Sequence, residues 1–137
     1  MVDCVFCKIR DGQIPSMKID EDERTLTFMD INPLSSGHCL VATKRHAATL
    51  LEADVEDLKA AIAAAKRVAL AIQKALEPDG LNMLQANGAA AFQSVPHFHL
   101  HLIPRWVNDG KGFDWKLVAG ERETIMKTGE RIRALLK

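Results

Sequence analysis

Residues 97–103 read His-Phe-His-Leu-His-Leu-Ile, and no other part of the chain narrows its possible folds so far. Strict alternation of a polar with an apolar residue is the signature of a half-buried strand. Successive side chains on a strand point to opposite faces. A strand over Val95–Ile103 therefore puts His97, His99 and His101 on one face and Phe98, Leu100 and Leu102 on the other. The apolar set anchors the strand on a core, and the imidazoles are aimed at a common site. Alternate residues lie roughly 6.5 Å apart along a strand, so the outer two imidazoles can serve different tasks. A metal-only site of the His-x-His kind, as in an all-β barrel, needs more ligands from another strand. Only His38 and His46 remain, and the helical segment between them and the triplet does not suit an all-β barrel.

The surroundings predict a mixed architecture. Asp54 to about Leu76 holds Leu58, Ile62, Ala65, Val68, Ala69, Ile72 and Leu76 at helical spacing and is rich in alanine. Asp54 is placed to cap it, and Pro78-Asp79-Gly80 ends it. Ser16–Asp20, Arg24–Met29, His38–Thr43 and Leu81–Gln85 read as further strands, with a small-residue loop over Ala86–Ala91. Gly120–Leu136 predicts a C-terminal helix with Ile125, Met126, Ile132 and Leu135 as its apolar positions. The order predicts an α+β fold: an antiparallel sheet of about five strands with two main helices. At 137 residues, with no repeat or linker, one domain over 1–137 is expected.

Composition removes several classes of function. Lys and Arg number 18, as do Asp and Glu, so no global charge draws the chain to nucleic acid or an anionic membrane. No apolar run reaches the roughly 18–20 residues of a membrane span. Met1-Val2-Asp3-Cys4 has no basic region followed by an apolar stretch, so a signal peptide is not expected there. A cytoplasmic, reducing location is the expectation. There, Cys4-Val-Phe-Cys7 favours metal or redox chemistry over a structural disulfide. Structural zinc takes four N or S ligands, and His46 and His97 are available to complete a set. Cys39, within a predicted strand, reads as a buried apolar filler.

The pattern His-φ-His-φ-His-φφ, with φ apolar, resembles the defining motif of the histidine-triad (HIT) family. The resemblance continues through Cys4-Val-Phe-Cys-Lys-Ile, Ile14-Pro15, Phe28-Met-Asp-Ile-Asn-Pro33, Gly37-His38, Lys44-Arg-His46 and Asn87-Gly88…Gln93-Ser-Val-Pro-His97. These segments stand in family order over about residues 4–105. The match is most similar to the Hint branch and its bacterial zinc-containing relatives.

The resemblance implies a nucleotide hydrolase. His99, the middle histidine, would attack the α-phosphorus, forming a nucleotidyl-histidine that water resolves. His101 would contact phosphate oxygens, and His38 would pack near the nucleophile. Gln93 and Ser94 resemble the family's phosphate and leaving-group contacts, and Asn87 stands beside them. Asp30 would hold the ribose hydroxyls, since a carboxylate accepts two hydrogen bonds from a diol. Phe6, Ile9 and Phe28 resemble the base pocket. Cys4, Cys7, His46 and His97 resemble the structural zinc ligands, with no catalytic metal needed. A homodimer is implied by the family's habit of joining sheets.

Two positions depart from the family pattern. Ala86 stands where an amide is usual, and Phe92 where a glycine lies beside the phosphates. Three functions follow as alternatives: a phosphoramidase releasing a purine nucleoside monophosphate, a diadenosine polyphosphate hydrolase, or a zinc-stabilised nucleotide-binding scaffold with little turnover. A zinc-ribbon nucleic-acid module is disfavoured by the neutral charge and by the lack of a second cysteine pair.

Overall fold

A computed structural model describes residues 3–113 and 115–136. Met1 and Val2, part of the N-terminal reading above, lie outside the described residues. The elements run α1 (Val5–Arg10), β1 (Lys18–Glu21), β2 (Thr25–Met29), β3 (Cys39–Thr43), α2 (Val55–Leu76), β4 (Gly80–Leu84), β5 (His99–Arg105) and α3 (Arg122–Ala134), with a 3₁₀ turn at Ala89–Ala91. The five strands form one sheet in the order β1-β2-β3-β5-β4, with every neighbour antiparallel. The α+β expectation holds in class, strand number and main helices.

Register divides the sheet into two chemically different faces. Phe28 pairs with Leu40, and Leu40 with His101; Leu26 pairs with Ala42, and Ala42 with His99. Directly paired residues share a face, so both imidazoles sit in rows that start from an apolar neighbour. Phe28, Leu40, Leu26 and Ala42 pack with Cys4, Phe6 and Cys7 of the α1 region. The opposite face presents Cys39, Val41, Leu100 and Leu102 to α2.

α2 begins where expected: the Asp54 carboxylate accepts from the Glu56 N–H at 2.9 Å. Its buried stripe differs from the expected one. Ala61, Ala64, Ala65, Val68 and Ile72 face the sheet, Leu58 is partly buried, and Ile62 points outward. Alanine lets the helix lie close on a sheet face already filled by Leu100, Leu102 and Val41. Asp57, buried on the same helix, pairs with Arg24 Nη1 at 2.7 Å and Arg45 Nε at 3.1 Å. That links α2 to the segment carrying His46.

Three strands shift by a single residue, and two move further. The first strand is Lys18–Glu21 rather than Ser16–Asp20, and it is irregular between Lys18 and Asp20. The histidine strand is His99–Arg105 rather than Val95–Ile103. Pro96 brings no N–H to a ladder, and the Phe98 N–H bonds to the Ala47 carbonyl at 2.7 Å, off the sheet. β5 instead continues through Pro104, which pairs with Leu81. α3 exists as expected, but none of its residues is buried within the chain.

Candidate active site and metal cluster

The rings of His38, His99 and His101 are each held by a specific neighbour, and together these contacts fix their protons. The carbonyl of His97 lies 2.7 Å from His99 Nδ1. A carbonyl only accepts, so His99 carries its proton on Nδ1 and keeps a lone pair on Nε2. The Leu34 N–H donates to His38 Nδ1 at 2.9 Å. The neutral His38 ring is therefore protonated at Nε2, which lies 2.9 Å from His101 Nδ1. His101 accepts there, which leaves its own N–H on Nε2. One lone pair, on His99, and one donor, on His101, thus stand side by side, with the two rings 4.8 Å apart.

His38 reaches this position through Gly37, whose φ of +90° favours glycine. A Cβ there would lie 2.4 Å from the Leu76 side chain and 3.1 Å from Pro104. Asp30 Oδ2 stands 3.4 Å from His38 Nε2, and its other oxygen accepts from the Asn32 N–H. Burial lowers His38 and His99 below the ordinary imidazole value, and burial beside two other rings brings His101 down to about 4. All three are neutral near pH 7.

A cleft of about 190 Å³ opens beside these rings. Asp30, Ser94, His99 and His101 provide its polar wall, and Phe6, Ile9, Phe28, Val5 and Val95 its apolar one. The Phe6 ring meets His99 edge-on at 4.9 Å, His97 at 5.9 Å and Phe28 at 5.2 Å. Val5 and Val95 were not anticipated as lining residues. Val5 sits one turn before Ile9, and that spacing is the signal that finds it.

Asn87 and Gln93 do not line this cleft. Asn87 accepts from the Leu50 N–H and pairs with Gln85. Gln93 accepts from the Gly88 N–H and donates to the Ala48 carbonyl. Both amides brace the loop that presents Ser94. Phe92 also stays outside the cleft, with 93% of its surface exposed. Its φ of +63° is a left-handed value that suits glycine.

The cysteine pair meets His46 and His97 on the far side of Phe6. Cys4 Sγ lies 3.3 Å from His97 Nδ1; Cys7 Sγ lies 3.5 Å from His46 Nδ1 and 3.6 Å from His97 Nδ1. The two Nδ1 atoms are 3.2 Å apart. His97 Nε2 faces the Thr43 carbonyl at 2.6 Å, so its proton is there and its Nδ1 lone pair points into the cluster. Burial pushes the Cys7 thiol up, with Cys4 adding to the shift. These four residues can hold a metal ion. Asp30, His38 and His101 are grouped as closely, but their chemistry differs. The proton on His38 Nε2 fills the gap between the rings, so that group is a hydrogen-bonded chain rather than a converging set of lone pairs.

Two strand histidines beside an apolar cleft, with His97 just before the strand and a fourth histidine and an acid opposite, define a HIT-type site. The chain belongs to the HIT domain family, whose model matches residues 11–107. The fission yeast Schizosaccharomyces pombe protein named adenosine 5'-monophosphoramidase hnt1 is 39% identical over 135 residues, 98% of each chain. A crystal structure of a HIT family member from Bacillus subtilis superposes with a TM-score of 0.92 at 41% identity, covering 99% of both chains. A zinc-bound histidine triad family protein from Mycobacterium smegmatis gives a TM-score of 0.77 at 38% identity, covering 96% of this chain and 91% of that one. Among the described residues, no helix is long and apolar enough to cross a membrane.

Proposed function

We propose that this chain is a nucleotidyl hydrolase of the Hint type, cleaving purine nucleoside phosphoramidates and releasing the nucleoside monophosphate. The observation that carries the reading is the 2.7 Å contact between His99 Nδ1 and the His97 carbonyl, which leaves Nε2 of a buried, neutral ring free beside the cleft. A neutral imidazole is a competent nucleophile and needs no base to activate it.

His99 Nε2 attacks the α-phosphorus; a P–N bond forms to the ring, and the bond to the amine breaks as its nitrogen takes a proton from water, so that a neutral amine departs. The Ser94 hydroxyl donates a hydrogen bond to the departing atom. His101 Nε2–H contacts the phosphate oxygens, oriented by His38. Water then attacks the phosphorus and gives up a proton to solvent, the P–N bond to His99 breaks with its electron pair returning to Nε2, and the monophosphate leaves. Asp30 holds the ribose hydroxyls, and Phe6, Ile9 and Phe28 enclose the base. Gln93 and Asn87 act through the loop rather than on the nucleotide.

Zinc is the metal we assign to Cys4, Cys7, His46 and His97. A tetrahedral ion with Zn–S near 2.3 Å and Zn–N near 2.0 Å separates its ligands by roughly 3.3–3.8 Å, and the distances from His97 Nδ1 to Cys4, Cys7 and His46, and from His46 Nδ1 to Cys7, are 3.2–3.6 Å, close to that. When bound, zinc supplies a closed structural crosslink and activates no water. This placement favours the zinc-containing branch and a reducing, cytoplasmic setting in which both thiols persist.

We further propose a homodimer that extends the sheet at its β4 edge. Leu81, Met83 and Leu84 of that strand are exposed, and among the described residues none of α3 is buried.

The test is AMP release from adenosine 5'-phosphoramidate and from diadenosine tetraphosphate, comparing the parent with His99→Ala. The phosphoramidate is expected to be the better substrate, with turnover lost in the variant. Preference for diadenosine tetraphosphate moves the chain to a dinucleoside polyphosphate hydrolase. No turnover on either, from folded metal-loaded protein, overturns the enzyme reading in favour of a binding protein.

A further inference from the structure

We infer that the four-ligand cluster anchors one wall of the nucleoside cleft through α1, so that metal loading sets nucleotide affinity. The inference rests on the nucleotide and zinc readings above. α1 has only six residues, too few to persist as an isolated helix in water. Among the described residues, its backbone hydrogen bonds all stay within residues 4–14. Among the described residues, three sets of contacts hold it on the body. The Phe6 ring packs against His97, His99 and Phe28, within an apolar cluster that includes Leu26, Leu40 and Ala42. Arg10 donates to the Lys44 carbonyl at 2.6 Å. Cys4 and Cys7 meet His46 and His97.

The two faces of this short helix are chemically joined. Cys4 and Cys7 flank Phe6 by two and one residues, so the ligands and the aromatic wall share a single turn. Val5 and Ile9 add to the cleft from the same turns. An ion in the cluster therefore fixes where Phe6, Val5 and Ile9 stand. Without it, the four groups face one another only as acceptors and thiols, and the helix is left to the packing of Phe6 and to the Arg10 bond. The polar wall is carried by separate elements: Asp30 follows β2, Ser94 lies on the braced loop, and His101 lies within β5. Metal loss should therefore loosen the apolar end of the cleft more than the phosphate end.

The experiment compares zinc-loaded wild-type protein with the same protein stripped by a chelator. Zinc per chain is measured by elemental analysis, and AMP and ribose 5-phosphate binding by titration calorimetry. Stripping is expected to weaken AMP binding about tenfold, the scale of one aromatic packing contact, and ribose 5-phosphate binding by much less. Phe6→Ala keeps all four ligands. It is expected to bind zinc, to bind AMP as weakly as stripped wild type, and to lose no further affinity on stripping. Equal AMP affinity in the loaded and stripped wild type overturns the inference. So do additive effects of Phe6→Ala and stripping, or equal losses for both ligands. Loss of far-UV circular dichroism on stripping overturns it in favour of a general structural role. Failure of the underlying readings looks different: no zinc uptake removes the metal, and no AMP binding by either form removes the nucleotide.

Discussion

His97 turns its ring nitrogen toward Cys4 at 3.3 Å and its carbonyl toward His99 Nδ1 at 2.7 Å. One residue thus belongs to the ligand cluster through its side chain and sets the proton of the neighbouring ring through its backbone. The carbonyl contact survives any side chain at position 97, whereas the cluster does not. His97→Ala is therefore expected to lose metal while leaving the His99 tautomer in place, as read by zinc content alongside single-turnover AMP release.

His38 should act through His101. His38→Ala removes the proton donated to His101 Nδ1 and frees that ring to adopt the other tautomer. The rate constant of turnover is expected to fall about 100-fold, within the range for a group that manages a proton, while KM changes little. Steady-state kinetics on adenosine 5'-phosphoramidate separate the two; a rise in KM alone contradicts the assignment.

Acid should weaken the fold before it would weaken one with exposed histidines. Burial and the neighbouring rings bring His101 to about 4 in the folded chain, while an unfolded imidazole titrates near 6.5. The unfolded chain then binds this proton first, so stability is complete above about pH 6.5 and is lost as pH falls toward 4. The urea midpoint is expected to be lower at pH 4.5 than at pH 7.5. The sign for turnover is the same: protonating His99, itself lowered by burial, removes the attacking lone pair. The acid limb of the rate profile should lie below pH 6.5.

Phe92 is expected to cost stability and leave activity alone. Its left-handed backbone disfavours a side chain with a Cβ, and its ring faces solvent. Phe92→Gly should raise unfolding stability by about 0.5–1 kcal/mol, the backbone relief less the added freedom of the unfolded chain. AMP release should be unchanged; a large gain in turnover would show that the ring restricts the site.

The proposed assembly is read by light scattering during size exclusion. The parent should run as a dimer, and Met83→Lys should shift it toward the monomer by placing a charge on an exposed position of the edge strand.

The alternation around His99 was enough to place two imidazoles on one sheet face, because period two is a local property of a strand. Where the strand begins was not legible. Phe98 bonds to Ala47, a residue distant in sequence, and that contact takes His97 off the ladder. The same limit hides the stripe of α2. Spacing alone makes Ile62 and Ala61 equal candidates for the core, and only the bulk already present on the sheet selects the alanine. The cysteine pair and its two histidines were readable as a set from motif positions. The proton chain from Leu34 through His38 to His101 was not, because it starts from a backbone N–H that no motif records.

Cys39 is fully buried in β3, and burial pushes its thiol up to about 11. It is silent toward alkylating and disulfide-exchange reagents while the sheet is intact. If Cys4 and Cys7 ligate zinc, the folded protein has no titratable sulfhydryl, and a colorimetric thiol count becomes a direct meter of site occupancy. Zero reads as loaded, two as emptied, and three as unfolded.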